Sequence, residues 1–419
     1  MKNILFSNFI KMFNLSLQDK NLTKHLEELL LKINIKKDYK KLSKQMMILL
    51  NKMNYEDNTK IRLIDYLLSY EINRINMTNT SYLSTNMETF DSHFSGFFDG
   101  DGSFRTGYRK GKRYTPKLVI ELHYDDREYL NKLIDYFKLN NIIYFRDNNT
   151  KAALIIDVDY KLKPFIKLFD NNSLLTKKYY DYILWKELFN IYYDNKMSKT
   201  DKLSLCYNIY LNINKYNDIE KYPSAEHIIN NINTNKVLGF IEAEGHFGIK
   251  PQSQKYTTSL EITQRKESRV YLEGIYNLID NWKVDDNCTY KLESLTKNLY
   301  PDGDKLRVMI FNLDNLYYKI VPTILNNNLY TRKSIDFTMW TVAIIIRKHG
   351  LHHTIEGINL LNKLRSTMNK NRYNTNNMNI PSLLDILTVL SMNSIYDDSK
   401  PHEINYRLHA SKTKLNKLN

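Results

Sequence analysis

The hydrophobic positions of the chain contain a short pattern that occurs twice. In residues 94–104, aromatic residues recur at the spacing i, i+3 and i+4, which places them on one face of a helix. Residues 237–247 repeat this spacing with aliphatic and aromatic residues, and the two segments align without a gap. An internal repeat of this kind indicates two related structural units. We therefore predict two central helices, at residues 91–101 and 235–244.

The aligned positions also share small and acidic residues. Small residues spaced four apart allow two helix backbones to approach closely, so we predict that the two central helices pack on each other. A glycine follows each helix, and we expect it to end the helix with positive φ. The aligned pairs are Gly96 and Gly239, Asp99 and Glu242, Gly100 and Ala243, Asp101 and Glu244, and Gly102 and Gly245.

Asp101 and Glu244 fall on the last turn of each predicted helix, where the helix dipole disfavours negative charge. If the helices pack together, the two carboxylates approach each other and raise each other's pKa. A divalent cation would neutralise this arrangement, and hard oxygen ligands favour Mg²⁺. The alternative for either copy is a helix that ends at glycine and carries solvated acids.

The remaining pattern predicts an α+β fold in which helix, two strands, helix, two strands and helix occur twice. The predicted strands are 102–108, 117–124, 142–146 and 152–158 in the first half, and 246–250, 257–263, 287–293 and 306–311 in the second. The other predicted helices are 127–138, 164–169, 177–193, 267–280, 314–326 and 331–347. A second repeat matches residues 172–182 with residues 327–337.

These elements divide the chain into five segments. The predicted segments are a helical extension at 1–88, units at 89–193 and 233–375, a partly helical linker at 194–232, and a basic tail at 376–419. We interpret the extension as packing helices; a further nucleic-acid contact and a partner-binding module are the alternatives.

The composition favours a polyanionic partner. The 419 residues include 61 Lys and Arg against 46 Asp and Glu, a net charge of +15. This balance is typical of nucleic-acid-binding proteins, although a merely basic protein also has it. Cys206 and Cys288 are too few for a disulfide framework or a zinc site, and no apolar run reaches 18 residues. The abundance of Asn, Lys, Ile and Tyr, with A/T-rich codons, indicates an A/T-rich genome such as a fungal mitochondrial one.

Both repeated segments resemble the LAGLIDADG motif, and residues 90–375 resemble the double-motif, single-chain LAGLIDADG homing endonucleases and maturases. The resemblance implies two pseudo-symmetric αββαββα units with antiparallel saddle sheets. Two departures are mild: Phe94 and Val237 replace the opening leucine, and Glu244 replaces the second aspartate. Because glutamate has the same chemistry, activity is still expected.

The resemblance also implies site residues. It assigns the metal to Asp101 and Glu244, with backbone oxygens of Gly100 and Ala243, and Mn²⁺ as a substitute for Mg²⁺.

By position in the repeats, the supporting residues are Lys178, Lys333 and Gln264, with Lys177 and Arg332 as alternates for the lysines. In the first half, His123 or Tyr124 stands in the place of the glutamine. The candidate base or phosphate contacts are Arg105, Arg109, Arg113, Lys250, Gln252 and Gln254.

Residues 350–359 resemble a segment that follows the second repeat in fungal mitochondrial members of the family. The nearby histidines His349, His352 and His353 could suggest a metal site. No cysteine lies near them and their spacing does not match HExxH, so we expect histidines that lie on the surface or contact phosphate.

The leading hypothesis is a monomeric, Mg²⁺-dependent, site-specific endonuclease that cuts double-stranded DNA at a long asymmetric site and leaves staggered 3′ overhangs. We expect it to act in mitochondria, encoded in the organelle genome, with no membrane partner and with a second protein subunit left open. The rival hypothesis is a maturase that folds group I intron RNA and cuts nothing. A third is a catalytically silent nucleic-acid-binding protein.

Overall fold

The computed structural model describes most of the chain. The described residues are 39–53, 55–56, 59–60, 62–67, 87–109, 113–139, 150–214, 222–252, 255–296, 298–369 and 380–415. They form two α+β units, each with one antiparallel sheet, and the helices that directly precede the two sheets pack against each other.

Helices and strands alternate along the first half. In chain order they are α1 (Tyr39–Lys52), α2 (Met87–Asp101), β1 (Gly102–Arg109), β2 (Arg113–His123), α3 (Arg127–Tyr136), β3 (Lys151–Ile156), α4 (Asp159–Asn171), α5 (Lys178–Tyr193) and α6 (Lys199–Asn212). The described sheet has the order β1-β2-β3, and the predicted strand 142–146 lies outside the described residues.

The second half repeats this order with additional helices at its end. It contains α7 (Ala225–Asn231), α8 (Thr234–Glu244), β4 (Gly245–Gln252), β5 (Lys255–Arg265), α9 (Arg269–Asp280), β6 (Leu299–Asp302), β7 (Lys305–Ile310), α10 (Leu313–Asn315), α11 (Val321–Asn326), α12 (Lys333–Lys348), α13 (Ile355–Thr367), α14 (Leu383–Leu390) and α15 (His402–Leu415). A π-helical segment, Leu316–Ile320, joins α10 to α11. The sheet has the order β4-β5-β7-β6.

The packing of the two central helices, α2 and α8, is confirmed. A Cβ atom added to Gly96 would lie 1.9 Å from the Lys236 carbonyl oxygen, and one added to Gly239 would lie 1.9 Å from the His93 carbonyl oxygen. Glycine is therefore required at both positions because backbone meets backbone. We call α2 and α8 the motif helices.

The prediction of positive φ at the glycines after the motif helices is wrong. Gly245 has φ −70°, and the described glycines with positive φ are Gly303 and Gly350. The chain enters β1 and β4 directly, so no left-handed residue reverses its direction. Glycine is required for space instead: a Cβ would lie 2.2 Å from the Phe98 ring at Gly102 and 2.4 Å from the Ile241 carbonyl oxygen at Gly245.

The predicted strand at 287–293 is also wrong, and β6 (Leu299–Asp302) pairs with β7 in its place. Residues 287–293 instead follow an Asx-type turn, in which the Asp285 carboxylate accepts from the Asn287 backbone N–H at 2.9 Å. The Tyr290 hydroxyl then donates to Asp314 at 2.9 Å. These side-chain bonds hold the segment against the helices, where its backbone cannot join the sheet.

The second unit has the larger core because both ends of the described chain pack on it. Leu49 of α1 and Leu387 of α14 belong to the same buried cluster as Trp340. The Gln45 side chain donates to the Thr388 hydroxyl at 2.9 Å, which joins α1 to α14. The described part of the N-terminal region is therefore an integral part of the second unit.

The expectation of surface or phosphate-contacting histidines after α12 is wrong for His349 and His352, which are buried. His349 lies 3.1 Å from the Asp398 carboxylate, and the ring of His352 packs 4.1 Å from that of His353. Burial, followed by the charges of His353 and other neighbours, lowers the pKa of His352 to about 2. A neutral, buried ring offers no charge to a phosphate.

Within the described ranges, each helix is too short or too polar to cross a lipid bilayer.

Candidate active site

The two repeated acids end adjacent helices. Asp101 is the last residue of α2, and Glu244 is the last residue of α8. A Cβ built on Gly100 would lie 3.0 Å from Cγ of Glu244, so the two helix ends are in contact. Burial and then the Glu244 carboxylate raise the pKa of Asp101 to about 7, although Lys178 and Lys333 oppose the shift. The effect of the neighbouring acid that the repeat predicts is therefore present at Asp101.

Each acid has a lysine beside it, at the start of a later helix. Lys178 Nζ donates to the carbonyl oxygens of Phe98 at 3.1 Å and Gly100 at 2.5 Å. Lys333 Nζ donates to the Gly245 carbonyl oxygen at 2.5 Å. Helix ends carry unpaired carbonyls and negative dipole charge, so an ammonium group is stabilised there. Burial lowers the pKa of Lys178, while nearby carboxylates including Asp101 oppose that shift.

Asp99, the other acid of the first motif, holds the loop that leads to Lys178. The backbone N–H groups of Leu175 and Thr176 donate to its carboxylate at 2.6 and 3.2 Å, and the Thr176 hydroxyl donates at 2.6 Å. That hydroxyl also accepts from the Lys178 backbone N–H at 3.2 Å. Asp99 is thus connected to Lys178 through a single threonine.

Glu242 has the same role in the second motif. The backbone N–H of Tyr330 donates to its carboxylate at 2.6 Å, and that of Thr331 donates to the same oxygen. The Thr331 hydroxyl accepts from the Lys333 backbone N–H at 3.2 Å. In both halves two backbone N–H groups of the loop therefore donate to the acid, and a threonine hydroxyl accepts from the lysine backbone.

A cavity of about 380 Å³ opens beside Asp101. Asp126, Ala243 and Lys333 contribute to its wall, so both halves of the molecule face it. The Asp126 carboxylate also accepts from the Arg332 backbone N–H at 2.8 Å. Asp101 and Lys333 are therefore open to a ligand at the junction of the two units.

The donor set fits a divalent cation with hard-ligand preference. Two carboxylates meet at the helix ends, and the Gly100 carbonyl, although bonded to Lys178, keeps a second lone pair. In the part of the chain that is described, no three His, Cys, Asp or Glu side chains form a metal-binding group. A cation held by Asp101 and Glu244 would complete its coordination with water and phosphate oxygens, as Mg²⁺ commonly does.

Comparisons with known proteins agree with this geometry. The family described as LAGLIDADG endonuclease matches residues 94–189 and 237–344, which include both acids and both lysines. The uncharacterized mitochondrial protein RF1 of Saccharomyces cerevisiae is 32% identical over 345 residues, which cover 80% of this chain and 70% of that protein. The chain belongs to the LAGLIDADG endonuclease family.

Other relatives of this LAGLIDADG protein are less similar in sequence. The probable intron-encoded endonuclease Cox1-I1b of Schizosaccharomyces pombe is 25% identical over 287 residues, covering 66% of this chain and 70% of that protein. The homing endonuclease I-GzeII, solved with its DNA target, matches with a TM-score of 0.56 at 20% identity, covering 67% of this chain and 99% of that one. I-SmaMI bound to cleaved DNA also gives 0.56 at 20% identity, covering 70% and 99%. These structures confirm the expected two-unit fold.

The predicted place of the supporting glutamine in the first half is wrong. In the sheet registers, Gly102 lies opposite Ile120 and Gly245 opposite Ile262, so Gln264 corresponds to Leu122 and not to His123 or Tyr124. Leucine carries no polar group, so Leu122 cannot take the role of Gln264 at the corresponding position of β2. The structure places Gln264 on β5 opposite Leu306.

The structure describes three of the six predicted nucleic-acid contacts in full. Arg105 and Arg113 are exposed on the β1–β2 hairpin. Lys250 is exposed too, but its ammonium lies 2.6 Å from the Glu261 carboxylate. For Arg109 in β1 and Gln252 in β4 only the backbone is described, and Gln254 lies outside the described residues.

The alternates for the two lysines are engaged elsewhere. Lys177 Nζ lies 2.9 Å from the Asp181 carboxylate in a buried pair, and the Arg332 guanidinium pairs with Asp125. The roles of Asp99 and Glu242 were missed by sequence reasoning. Their alignment within the repeat was a signal that could have identified them.

Proposed function

We propose that this LAGLIDADG protein is a divalent-metal-dependent, site-specific endonuclease that hydrolyses both strands of double-stranded DNA. The observation that carries the proposal is the duplicated set of acid, lysine and lysine-holding loop at the paired ends of the motif helices. Two pseudo-symmetric sets suit two phosphodiesters on antiparallel strands, one for each half. A protein that only binds nucleic acid would not require the set twice.

In this proposal Asp101 and Glu244 hold the metal, with the carbonyl oxygens of Gly100 and Ala243 as further ligands. When bound, Mg²⁺, or Mn²⁺ in its place, supplies charge neutralisation at the phosphate and a more acidic water. I-SmaMI has also been solved on uncleaved DNA in the presence of calcium ions, which supports a divalent site in the family.

Lys178 and Lys333 stabilise the negative charge that develops on the phosphate oxygens, each from a position fixed by its loop. Lys178 is positioned by Asp99, and Lys333 by Glu242. Gln264 supports the water network in the second half, whereas Leu122, at the corresponding position of β2, cannot do so in the first. The two strands should therefore be cut by similar but not identical sites.

The two sheets would contact the duplex, with Arg105, Arg109, Arg113, Lys250, Gln252 and Gln254 as candidate contacts. Each sheet could follow roughly 10 base pairs, about one turn of DNA. Because the halves differ in sequence, the target is expected to be asymmetric and long, with staggered 3′ overhangs.

The relatives include a mitochondrial protein and a probable intron-encoded endonuclease, which supports a mitochondrial endonuclease rather than a maturase of intron RNA. We propose that it acts as a monomer.

The test is cleavage of fungal mitochondrial DNA with Mg²⁺ by the wild type, Asp101→Asn and Glu244→Gln. We expect discrete fragments with the wild type, and loss of double-strand breaks by at least about a hundredfold in each variant. Chelation of the metal should stop cleavage without removing DNA binding. Tight binding without any cut in the wild type would contradict the proposal, and group I intron RNA would then be tested.

A further inference from the structure

A second pair of aligned residues occupies the crossing point of the motif helices. His93 of α2 and Lys236 of α8 align in the repeat, and both are buried. Their carbonyl oxygens are the atoms that contact Gly239 and Gly96, so each residue lies where the helices are closest. Neither side chain belongs to the acid and lysine sets of the active site.

The Lys236 side chain extends from the second unit into the first. Its Nζ donates to the Ser173 carbonyl oxygen at 2.6 Å, in the loop that leads to Lys178, and to the Asn231 carbonyl oxygen at 3.0 Å. It also lies in the field of Asp99, which holds the same loop. Burial lowers the pKa of Lys236 to about 8, so the ammonium remains mostly charged at pH 7.

The His93 side chain extends in the opposite direction, from the first unit into the second. Its Nε2 lies 3.1 Å from the second carboxylate oxygen of Glu242, the acid that holds the loop leading to Lys333. Its ring packs edge-on against Tyr330 in that loop, with ring centroids 4.8 Å apart. The Glu242 side chain is fully buried, so the loop and His93 enclose it together.

We propose that His93 and Lys236 are crossed positioning residues, each on the motif helix of one half and each supporting the lysine loop of the other half. Lys236 orients the loop of Lys178 by binding its backbone, and His93 orients the loop of Lys333 through Glu242 and Tyr330. Each catalytic site is therefore completed by the opposite motif helix. The two halves cannot align their lysines independently, because the same helix contact carries both supports.

The first test measures backbone hydrogen exchange and does not depend on cleavage. Lys236→Met and His93→Phe keep the side-chain size and remove the polar group, and Lys199→Met on the exposed face of α6 is the matched control. We expect Lys236→Met to speed exchange at residues 173–178 by at least about tenfold, with residues 328–333 little changed. His93→Phe should give the reverse result. Equal changes in both loops, or changes only in the variant's own half, would overturn the proposal.

The second test rests on the proposed function and follows nicking of each strand of the mapped target. Lys178→Met and Lys333→Met first define which strand depends on which lysine. Lys236→Met should then slow the Lys178-dependent strand about ten- to a hundredfold with little change in DNA affinity, and His93→Phe the other strand. The conservative Lys236→Arg and His93→Gln should restore most of the rate.

The two tests separate the possible failures. If the wild type does not cut, the proposed function fails, and the exchange pattern still decides the crossed support. If the wild type cuts but both strands slow equally in each variant, the crossed support fails and the proposed function stands. If either variant does not fold, Lys236→Gln or His93→Leu takes its place: faster exchange confined to the opposite loop supports the proposal, and unchanged exchange there overturns it.

Discussion

The two halves of the molecule differ in the outer contacts of the loop before the lysine helix. In the first half, residues 172–177 contact the ring of His227, whose Nε2 lies 3.1 Å from both the Ser173 hydroxyl and the Leu174 carbonyl oxygen. In the second half, the backbone of residues 327–332 donates to the Asp126 carboxylate and the Tyr66 hydroxyl. The contacts to the motif acids are alike, whereas the outer contacts are not. Chemistry constrains the contacts nearest the lysines, and packing is free to vary outside them.

The halves also differ in how they are covered. Helices α1 and α14 bury the second unit, whereas the first unit leaves a cluster of stacked tyrosines exposed. Tyr108, Tyr207 and Tyr210 are 50%, 45% and 36% exposed. The second unit should therefore be the more stable one, and this difference can be tested by breaking features that the halves share or do not share.

The largest effect is expected where the halves meet. Gly96→Ala or Gly239→Ala places a methyl group about 1.9 Å from a backbone oxygen, which requires the motif helices to separate. We expect each change to lower the free energy of unfolding by more than about 3 kcal/mol, measured by urea denaturation. Gly274→Ala in α9 is the control, because its methyl group would meet isoleucine methyl groups at 3.1 and 3.4 Å and no backbone atom. A similar loss in the control would contradict a backbone clash as the cause.

The next-largest loss of stability is expected from helix α1, which packs on the second unit. Leu49 of α1 is 1% exposed, so Leu49→Ala should leave a cavity and lower the free energy of unfolding by about 3 kcal/mol. The exposed neighbour Lys44→Ala should change it by less than about 0.5 kcal/mol. Hydrogen exchange should rise in the second unit first. A faster exchange confined to the first unit would remove the proposed asymmetry between the halves.

A smaller effect is expected from pH. The pKa of Asp101 is about 7, so the carboxylate is mostly protonated at pH 6 and mostly ionised at pH 8. Protons compete with the metal at low pH, so the Mg²⁺ concentration for half-maximal cleavage should fall by about tenfold from pH 6 to pH 8. DNA binding measured in the presence of a chelator provides the reference. If the Mg²⁺ concentration for half-maximal cleavage does not change between pH 6 and pH 8, the pKa of Asp101 does not lie in this range.

An effect of about the same size is expected from a contact that both halves share. Asn214 and Asn369 have positive φ, and their side chains donate to the carbonyl oxygens of Phe104 and Phe247 at 2.7 and 3.1 Å. Replacing either with alanine should lower the free energy of unfolding by about 1 to 2 kcal/mol. Glycine removes the φ penalty and should recover about half of the loss. Different losses in the two halves would mean that the contact is not equivalent.

Sequence alone predicted the parts of the fold that depend on local periodicity. The motif helices, their glycine contact and the acids Asp101 and Glu244 all lie within short repeated segments. The hydrogen bonds of Asp99 and Glu242 could not be predicted in this way, because the backbone groups that donate to them lie in loops far along the chain. The side-chain pattern of a helix does not reveal which distant backbone its acid will meet.

The errors also have physical causes. A glycine after a helix usually marks a left-handed end, but at Gly102 the chain continues straight into a strand and glycine serves only to leave space. His352 is polar in sequence, yet the helices packed around it remove it from water. Residues 287–293 have strand-like composition, but an Asx turn and bonds to the helices take the segment away from the sheet.

The backbone contact between the motif helices has a consequence for the products of cleavage. At Gly96 and Gly239 backbone meets backbone directly, with no side chain between the two to act as a compressible spacer. The distance between Asp101 and Glu244 is then fixed by main-chain geometry. The number of bases between the two nicks becomes a property of the protein, and the same overhang length should appear at every site it cuts.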